Sequence, residues 1–422
     1  MRDLLFLAHR MPYPPDKGDK IRAFHVLRHL ARSFRVHLGC FSDDPNDAQY
    51  VERLGKHCAS LFVAPLSRRK ALARGLYALA GGDSLSEGYF RDGRMTRWVA
   101  ETMARVDPEN IFVFCSSMVP YATPYAATHR VIADMVDVDS EKWRAYGQEA
   151  AWPLHRLYAR ESRALLALER RAAMLFERSL FVSREEADVF LRAAPETAGR
   201  IGFFQNGVDL DYFDASRVFA KPFAADAAPI VFTGTMDYRP NIEAVEWFAH
   251  QVLPLVRRNH PTAEFWIVGS YPGPRVTKLA QKSAIRVTGR VADVRPYLAH
   301  AACVVAPLHI ARGLQNKILE AMAMARPVVA TPAACEGLSA KAGRDLLLAE
   351  TADAFTGAVS LVLAGGLQDL GHQARLCVES DYNWSRNLKV LDELFQSTND
   401  RLGRPEAAPC GGPETIIMRA VS

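Results

Sequence analysis

Lys317 and Glu320 stand three residues apart, with Asn316 beside the lysine, shortly after a glycine at 313. On a helix that spacing puts the cation and the carboxylate on one face. An apolar strand ending at Pro307, a loop reaching Gly313 and apolar spacing from 315 predict a helix over 315–325, after which Pro327 opens another strand. Such a helix begins with unpaired N–H groups and the positive end of its dipole, a site for a diphosphate. Gly313 removes a Cβ where backbone must approach a ligand closely. Lys317 would bring charge to the phosphates, and Glu320, one turn deeper, would accept from ribose hydroxyls. The plain alternative is a surface i, i+3 ion pair, which the spacing alone also allows.

Side chains at a strand end need a sheet to hold them. Apolar runs of strand length at 4–8, 36–41, 61–64, 111–115 and 131–135 alternate with helical segments; Ile21, Phe24, Leu27, Leu30 and Phe34 step by three and four. After residue 228 the pattern restarts with strands at 230–233, 265–268, 285–288, 303–306, 328–331 and 346–348 and a helix over 241–258. Repeated βα alternation predicts an α/β protein with parallel sheets covered on both faces. Two successive series predict two doubly wound, Rossmann-like domains facing an interdomain cleft. Residues 1–205 form the first and 206–383 the second, with a helix at about 384–400 packing back on the first and 401–422 a disordered tail. A long helix is expected over 153–178, and the Ala- and Pro-rich stretch 219–229 reads as a loop near the junction. Ligands of open parallel sheets bind beyond the carboxyl ends of the strands, so chemistry is expected in the cleft.

Pro307, then Glu320-Ala321-Met322-Ala323, then Pro327-Val328-Val329 resemble glycosyltransferase family 4, a retaining group with the GT-B fold. The resemblance implies a nucleoside diphosphate sugar as donor substrate and no metal or other cofactor. It puts Glu320 at the family's ribose ligand and Arg312 where the family has a glutamate that contacts the donor sugar, a departure at sugar recognition. Gly313, Leu314, Gln315 and Asn316 then line the donor beside Lys317. Segment 204–213 (FQNGVDLDYF) is similar to the family's element at the entrance to the second domain and implies a hinge, although Asn206-Gly207 alone reads as a turn. In loop 232–241 the family binds the donor diphosphate with basic residues. Thr235 and Arg239 are the candidates, Arg239 either clamping phosphate with its fork or standing as a solvated charge. In 287–294 the resemblance puts the nucleobase against Arg290 and Val291; the other reading is a turn with Asp293 as helix cap. In loop 12–22 the resemblance puts Gly18 beside the donor phosphates and Lys17, Asp19 and Lys20 on the acceptor side. The implied catalytic set is Arg239, Lys317 and Glu320.

The runs PPDKGDKIRAF, DMVDVDSEKW, FTGTMDYRPN and GLQNKILEAMA look like the sugar transferases associated with bacterial exosortase (PEP-CTERM) and exopolysaccharide systems. This implies a hexosyltransferase of cytoplasmic location acting on a glycan or lipid-linked acceptor. The implied reaction is a front-side displacement with retention, in which the leaving diphosphate helps take the acceptor proton. The alternatives are a GT-B nucleotide-sugar epimerase and a non-catalytic sugar-nucleotide-binding subunit.

Other features narrow the reading by exclusion. Asp137-Val138-Asp139 formally matches a DxD metal motif of a different transferase fold, but ends a strand facing the cleft, which gives Asp137 an acceptor-side role. Basic residues lead an apolar helical stretch over 68–79, consistent with peripheral contact at the inner face of the plasma membrane or with a solvated charge run beside core positions. The run 4–8 is too short to span a membrane, no signal-peptide cleavage pattern follows it, and no charge-free stretch of about 18 apolar residues occurs elsewhere. Seven cysteines with no CxxC pair fit reduced thiols rather than a disulfide framework or a metal site. A net charge of +5 is far from a nucleic-acid-binding signature. With 49% hydrophobic and 23% charged residues, a disordered chain is excluded. No GxGxxG follows a strand, which argues against an oxidoreductase.

Overall fold

Strand β1 (Arg2–Ala8) is apolar along its length because both of its faces are covered: Leu4, Phe6 and Ala8 enter one core, Leu5 and Leu7 the other. The computed structural model describes residues 1–15, 17–311, 313–367 and 369–396. Around β1 a seven-stranded sheet forms in the order β3-β2-β1-β4-β5-β6-β7, every neighbouring pair parallel. Its other strands are β2 (Phe34–Ser42), β3 (Ser60–Pro65), β4 (Asn110–Phe114), β5 (Arg130–Val136), β6 (Arg178–Phe181) and β7 (Ile201–Phe203). A second parallel sheet has the order β10-β9-β8-β11-β12-β13. It comprises β8 (Ala228–Thr233), β9 (Ala263–Val268), β10 (Ile285–Gly289), β11 (Cys303–Ala306), β12 (Val328–Ala330) and β13 (Leu347–Leu348), and has its own core. In each sheet the strand order reverses beside the first strand, so the loops after β1, β4, β8 and β11 flank a switch point.

The fold adds two strands that periodicity hid. The helix expected over 153–178 is Leu154–Leu175, and β6 begins at Arg178 with half its residues polar; β7 is only three residues long. The helix expected over 241–258 is broken into Arg239–Trp247, a wide turn at Phe248–Val252, and Leu253–Asn259. Pro254 has no N–H to continue the ladder there. The tail 401–422 lies outside the described residues.

The chain crosses between the sheets twice. After the second domain it returns through the helices Trp384–Asn387 and Lys389–Gln396, whose Trp384, Leu388, Leu391 and Phe395 join the core under β1. The two crossings touch. Val208 N–H donates to Tyr382 O at 2.8 Å, and a Cβ at Gly207 would come within 2.7 Å of Trp384 N, so only glycine fits. Asn387 Nδ2 donates to the carbonyls of Asn206 and Asp381, lacing one crossing to the other.

At this junction Arg22 is 1% exposed and Asp134 fully buried. The helix Gly18–Leu30 carries Arg22, whose Nε and Nη2 donate to the two Asp134 oxygens at 2.8 and 3.0 Å. Its Nη1 donates to Asn206 Oδ1 at 2.8 Å and Phe204 O at 3.1 Å, and the guanidinium lies 3.6 Å from the Phe204 ring centre. Burial pushes the Asp134 carboxyl up, and Arg22 pulls it back. Arg22→Met would strand that carboxyl without a cation, so urea unfolding should show a loss of about 3–5 kcal/mol, with much of it regained in Arg22→Met/Asp134→Leu. A loss below about 1 kcal/mol in the single variant would mean that water reaches the pair.

Candidate functional site

Beyond β8 the chain turns at Gly234, and beyond β9 at Gly269. The two loops pass so closely that a Cβ on Gly269 would stand 1.7 Å from Gly234 O. A Cβ on Gly234 would in turn lie 2.8 Å from Asn241 Nδ2 and 3.3 Å from Lys317 Nζ. Backbone without side chains thus floors this end of the second sheet. Lys317 reaches it from the helix Asn316–Ala323, a little shorter than the spacing predicted.

Lys317 Nζ donates to Asn241 Oδ1 at 2.5 Å, and Asn241 Nδ2 donates to Thr235 O at 2.8 Å, which fixes the amide's orientation. The ammonium also lies 4.5 Å from the centre of the Phe232 ring. Burial pushes Lys317 down to about 7 and Glu320 up to about 7, each effect only partly offset by the other's charge. Two buried polar atoms at this end of the sheet have no hydrogen-bond partner within the protein: Thr233 Oγ1, last in β8, and Asn316 Oδ1, first in the helix. Native structures rarely leave such atoms unpaired, and a water or the polar groups of a ligand would pair them here.

The other candidates divide. Gly313 is exposed at φ 66°, a conformation that favours glycine, and Gln315 Nε2 donates back to its carbonyl at 3.0 Å. Leu314 packs against the second core. Arg312 lies outside the described residues. Gly18, from the first domain, faces the helix start: a Cβ there would stand 3.6 Å from Asn316 Nδ2. Lys17 beside it is exposed. Arg290 is exposed and Val291 half-buried in the turn after β10, where Asp293 Oδ1 accepts from Arg295 N–H at 2.9 Å.

Two cations do not join the cluster. Arg239 opens the helix Arg239–Trp247 with its side chain 82% exposed and pairs with Glu243 Oε1 at 2.6 Å, one turn along. From that loop it is Asn241 that meets Lys317. Lys20, expected beside the cleft, is 6% exposed and bound to Asp47 at 3.1 Å. Burial pushes the Asp19 carboxyl up, but its contacts with His9 at 3.3 Å and Arg10 at 3.0 Å hold it below the usual range. Asp137 lies 3.7 Å from Lys142, whose Nζ also donates to Asp139 at 3.2 Å. Among the described residues no three His, Cys, Asp or Glu side chains are grouped as metal ligands, and the six described cysteines are free.

Sequence reasoning missed Asn241, Thr233, His9 and Tyr212. His9, at the carboxyl end of β1, stacks on Phe114 and has a buried Nδ1 without a partner. Burial and the Asp293 carboxylate push the Tyr212 hydroxyl up, against the pull of Arg295, and Glu320 adds a little. An asparagine two residues after an arginine in a loop reads as a helix start, and nothing in its spacing points to a lysine 76 residues away.

Residues 227–364 match the family model described as Glycosyl transferases group 1. Solved structures match the fold over most of the chain. Sucrose-phosphate synthase from Thermosynechococcus elongatus aligns over 93% of this chain and 98% of its own, at TM-score 0.66 and 17% identity. This is a GT-B fold. Anabaena HepE in complex with UDP and glucose aligns over 94% of this chain and all of its own, at TM-score 0.63 and 13% identity. WaaG, a glycosyltransferase involved in lipopolysaccharide biosynthesis, aligns over 93% and 100%, at 0.62 and 15%. No curated protein matches the sequence. The family match and the GT-B frame together support a glycosyltransferase of group 1 type. Its second domain carries the matched segment, and with it the Lys317–Asn241–Glu320 cluster.

Inorganic pyrophosphate is the simplest probe of the cluster. At about pH 8 Lys317 is largely neutral in the free protein, and a bound anion raises its pKa, so binding draws a proton from solution. Pyrophosphate itself titrates near neutral pH, so the readout is a difference between proteins: calorimetry in buffers of different ionisation enthalpy should show more uptake by the parent than by Lys317→Met at about pH 8, and little difference at about pH 6. Equal uptake by the two at about pH 8 would assign the proton to another group.

Proposed function

We propose that the protein transfers a sugar from a nucleoside diphosphate to an acceptor hydroxyl with retention of configuration. What carries the reading is the convergence at the start of the Asn316–Ala323 helix: an ammonium held by a side-chain amide, a glycine floor, and buried polar atoms left without partners. The diphosphate lies against that helix N-terminus and Lys317, where desolvation makes each charge worth more than it is in water. Glu320, one turn deeper, accepts from the ribose hydroxyls. The C1–oxygen bond to the diphosphate breaks as the acceptor oxygen bonds C1 on the same face, and the acceptor proton passes to the departing diphosphate. Lys317 holds its proton more firmly as negative charge grows on the leaving group. The reading needs no metal, since the facing positive charge comes from the chain.

A nucleotide sugar as donor is supported by Anabaena HepE, a protein of the same fold whose structure was determined with UDP-glucose. The acceptor approaches from the first domain, by the loop of Lys17 and Gly18 and the strand end at Asp137. We place the activity in exopolysaccharide or other cell-surface glycan synthesis, at the cytoplasmic side, on the resemblance of the loop sequences to exosortase-associated transferases.

Glu320→Ala removes a charged acceptor, so the nucleoside diphosphate should bind roughly 10- to 100-fold more weakly in calorimetry. Unchanged affinity would remove the nucleotide from this cluster. Lys317→Ala should lower turnover roughly 100-fold or more while leaving the melting temperature little changed. A thermal-shift series with UDP-, GDP- and dTDP-sugars identifies the donor, stabilisation reaching about 2.7 kcal/mol at a hundredfold excess over Kd. Product analysis with and without acceptor then tests transfer: an epimerised nucleotide sugar formed without acceptor would contradict it.

A further inference from the structure

The helix Arg68–Ala80 of the first domain packs through small residues and exposes large apolar ones. Ala71, Gly75 and Ala78 face inward, and the contact with the helix Leu85–Phe90 is so close that a Cβ on Gly88 would stand 2.4 Å from Ala78 Cβ. Outward, Leu72 is 52% exposed, Leu76 59% and Tyr77 82%. Beyond the first turn the exposed residues of this helix are Leu72, Ala73, Leu76, Tyr77 and Ala80, with no charge among them. A helix facing only water has the opposite distribution, and a contiguous apolar face of this kind marks an interaction surface. Spacing alone allowed these apolar residues to be core; the structure turns them out.

The first turn says what the surface meets. Arg68, Arg69 and Lys70 are all exposed, and none has an ion-pair partner among the described residues. The helix contains no acidic residue. A second copy docked through this face would set those cations against each other or against apolar turns, with no carboxylate on the helix to neutralise them. An anionic bilayer meets both halves at once: headgroups pair with the basic turn while the leucines and the tyrosine enter the acyl boundary. No described helix is long and apolar enough to cross a membrane, so the contact is made along the surface.

We infer that the exposed face of helix Arg68–Ala80 docks the protein on an anionic lipid surface. This rests on exposure and charge alone and stands or falls independently of the transferase reading. The test is flotation of the full chain with vesicles of phosphatidylcholine alone and of phosphatidylcholine mixed equally with phosphatidylglycerol. The protein should float with the mixed vesicles, float less as salt rises, and stay unbound to phosphatidylcholine alone. Arg69→Ser/Lys70→Ser should weaken binding roughly 30-fold. Leu72→Ser/Leu76→Ser/Tyr77→Ser should abolish it with all the cations in place, and because these side chains are exposed, its melting temperature reports that the fold is intact. Failure to float with the mixed vesicles, or flotation of the triple apolar variant equal to the parent, would overturn the inference. A dimer in solution that the triple variant loses, with no vesicle binding by the parent, would assign the face to a second copy instead.

Discussion

The buried pair of Arg22 and Asp134 ties the start of the first crossing to the first sheet, and the junction between the sheets is built on that point. One guanidinium joins the helix after β1, the end of β5 and the crossing at Phe204–Asn206. Its gain in stability over an apolar substitute is small or negative, because desolvating two charges offsets most of their attraction. What the pair supplies is direction. An apolar contact at the crossing could slide, whereas five fixed N–H vectors and a carboxylate fork accept one geometry. The glycine contact at Gly207 and the amide of Asn387 fix the returning chain against the same point. The loop carrying Gly18 therefore stands opposite the start of the Asn316–Ala323 helix, a contact between domains that neither sheet could impose alone.

The site's electrostatics follow from that enclosure. Lys317 and Glu320 are neighbours of opposite charge, yet both are pushed toward neutrality, because burial costs each more than the other returns. The pair is thus poised: a polyanion at the helix start stabilises the ammonium, and hydroxyl donors at Glu320 stabilise the carboxylate. An exposed pair would have its charge in place already and would respond little.

The strands were legible where burial on both faces produces an unbroken apolar run, as in Leu4–Ala8 and Cys303–Ala306. The short edge-side strands Arg178–Phe181 and Ile201–Phe203 carry too few apolar residues to show a period. Lys317 and Glu320 were legible because helical spacing alone puts them on one face. The directions of Lys20 and Arg239 were not. A flexible cation goes to the nearest well-placed carboxylate, which for Lys20 is 27 residues away and for Arg239 one turn along. Arg22 shows the complement: PPDKGDKIRAF, DMVDVDSEKW and FQNGVD look like binding loops, yet Arg22, Asp134 and Asn206 within them meet in the buried network at the first crossing. Leu72, Leu76 and Tyr77 have core-like spacing, but the opposite face of the helix is built of alanine and glycine and is the one that packs.

A ligand site shared between the domains at the start of the Asn316–Ala323 helix is tested most directly by amide hydrogen exchange with and without a nucleoside diphosphate. Segments 313–323, 234–241 and 17–22, the last from the other domain, should be protected together. Protection confined to one domain, or absent from 313–323 when the nucleotide is bound, would contradict it.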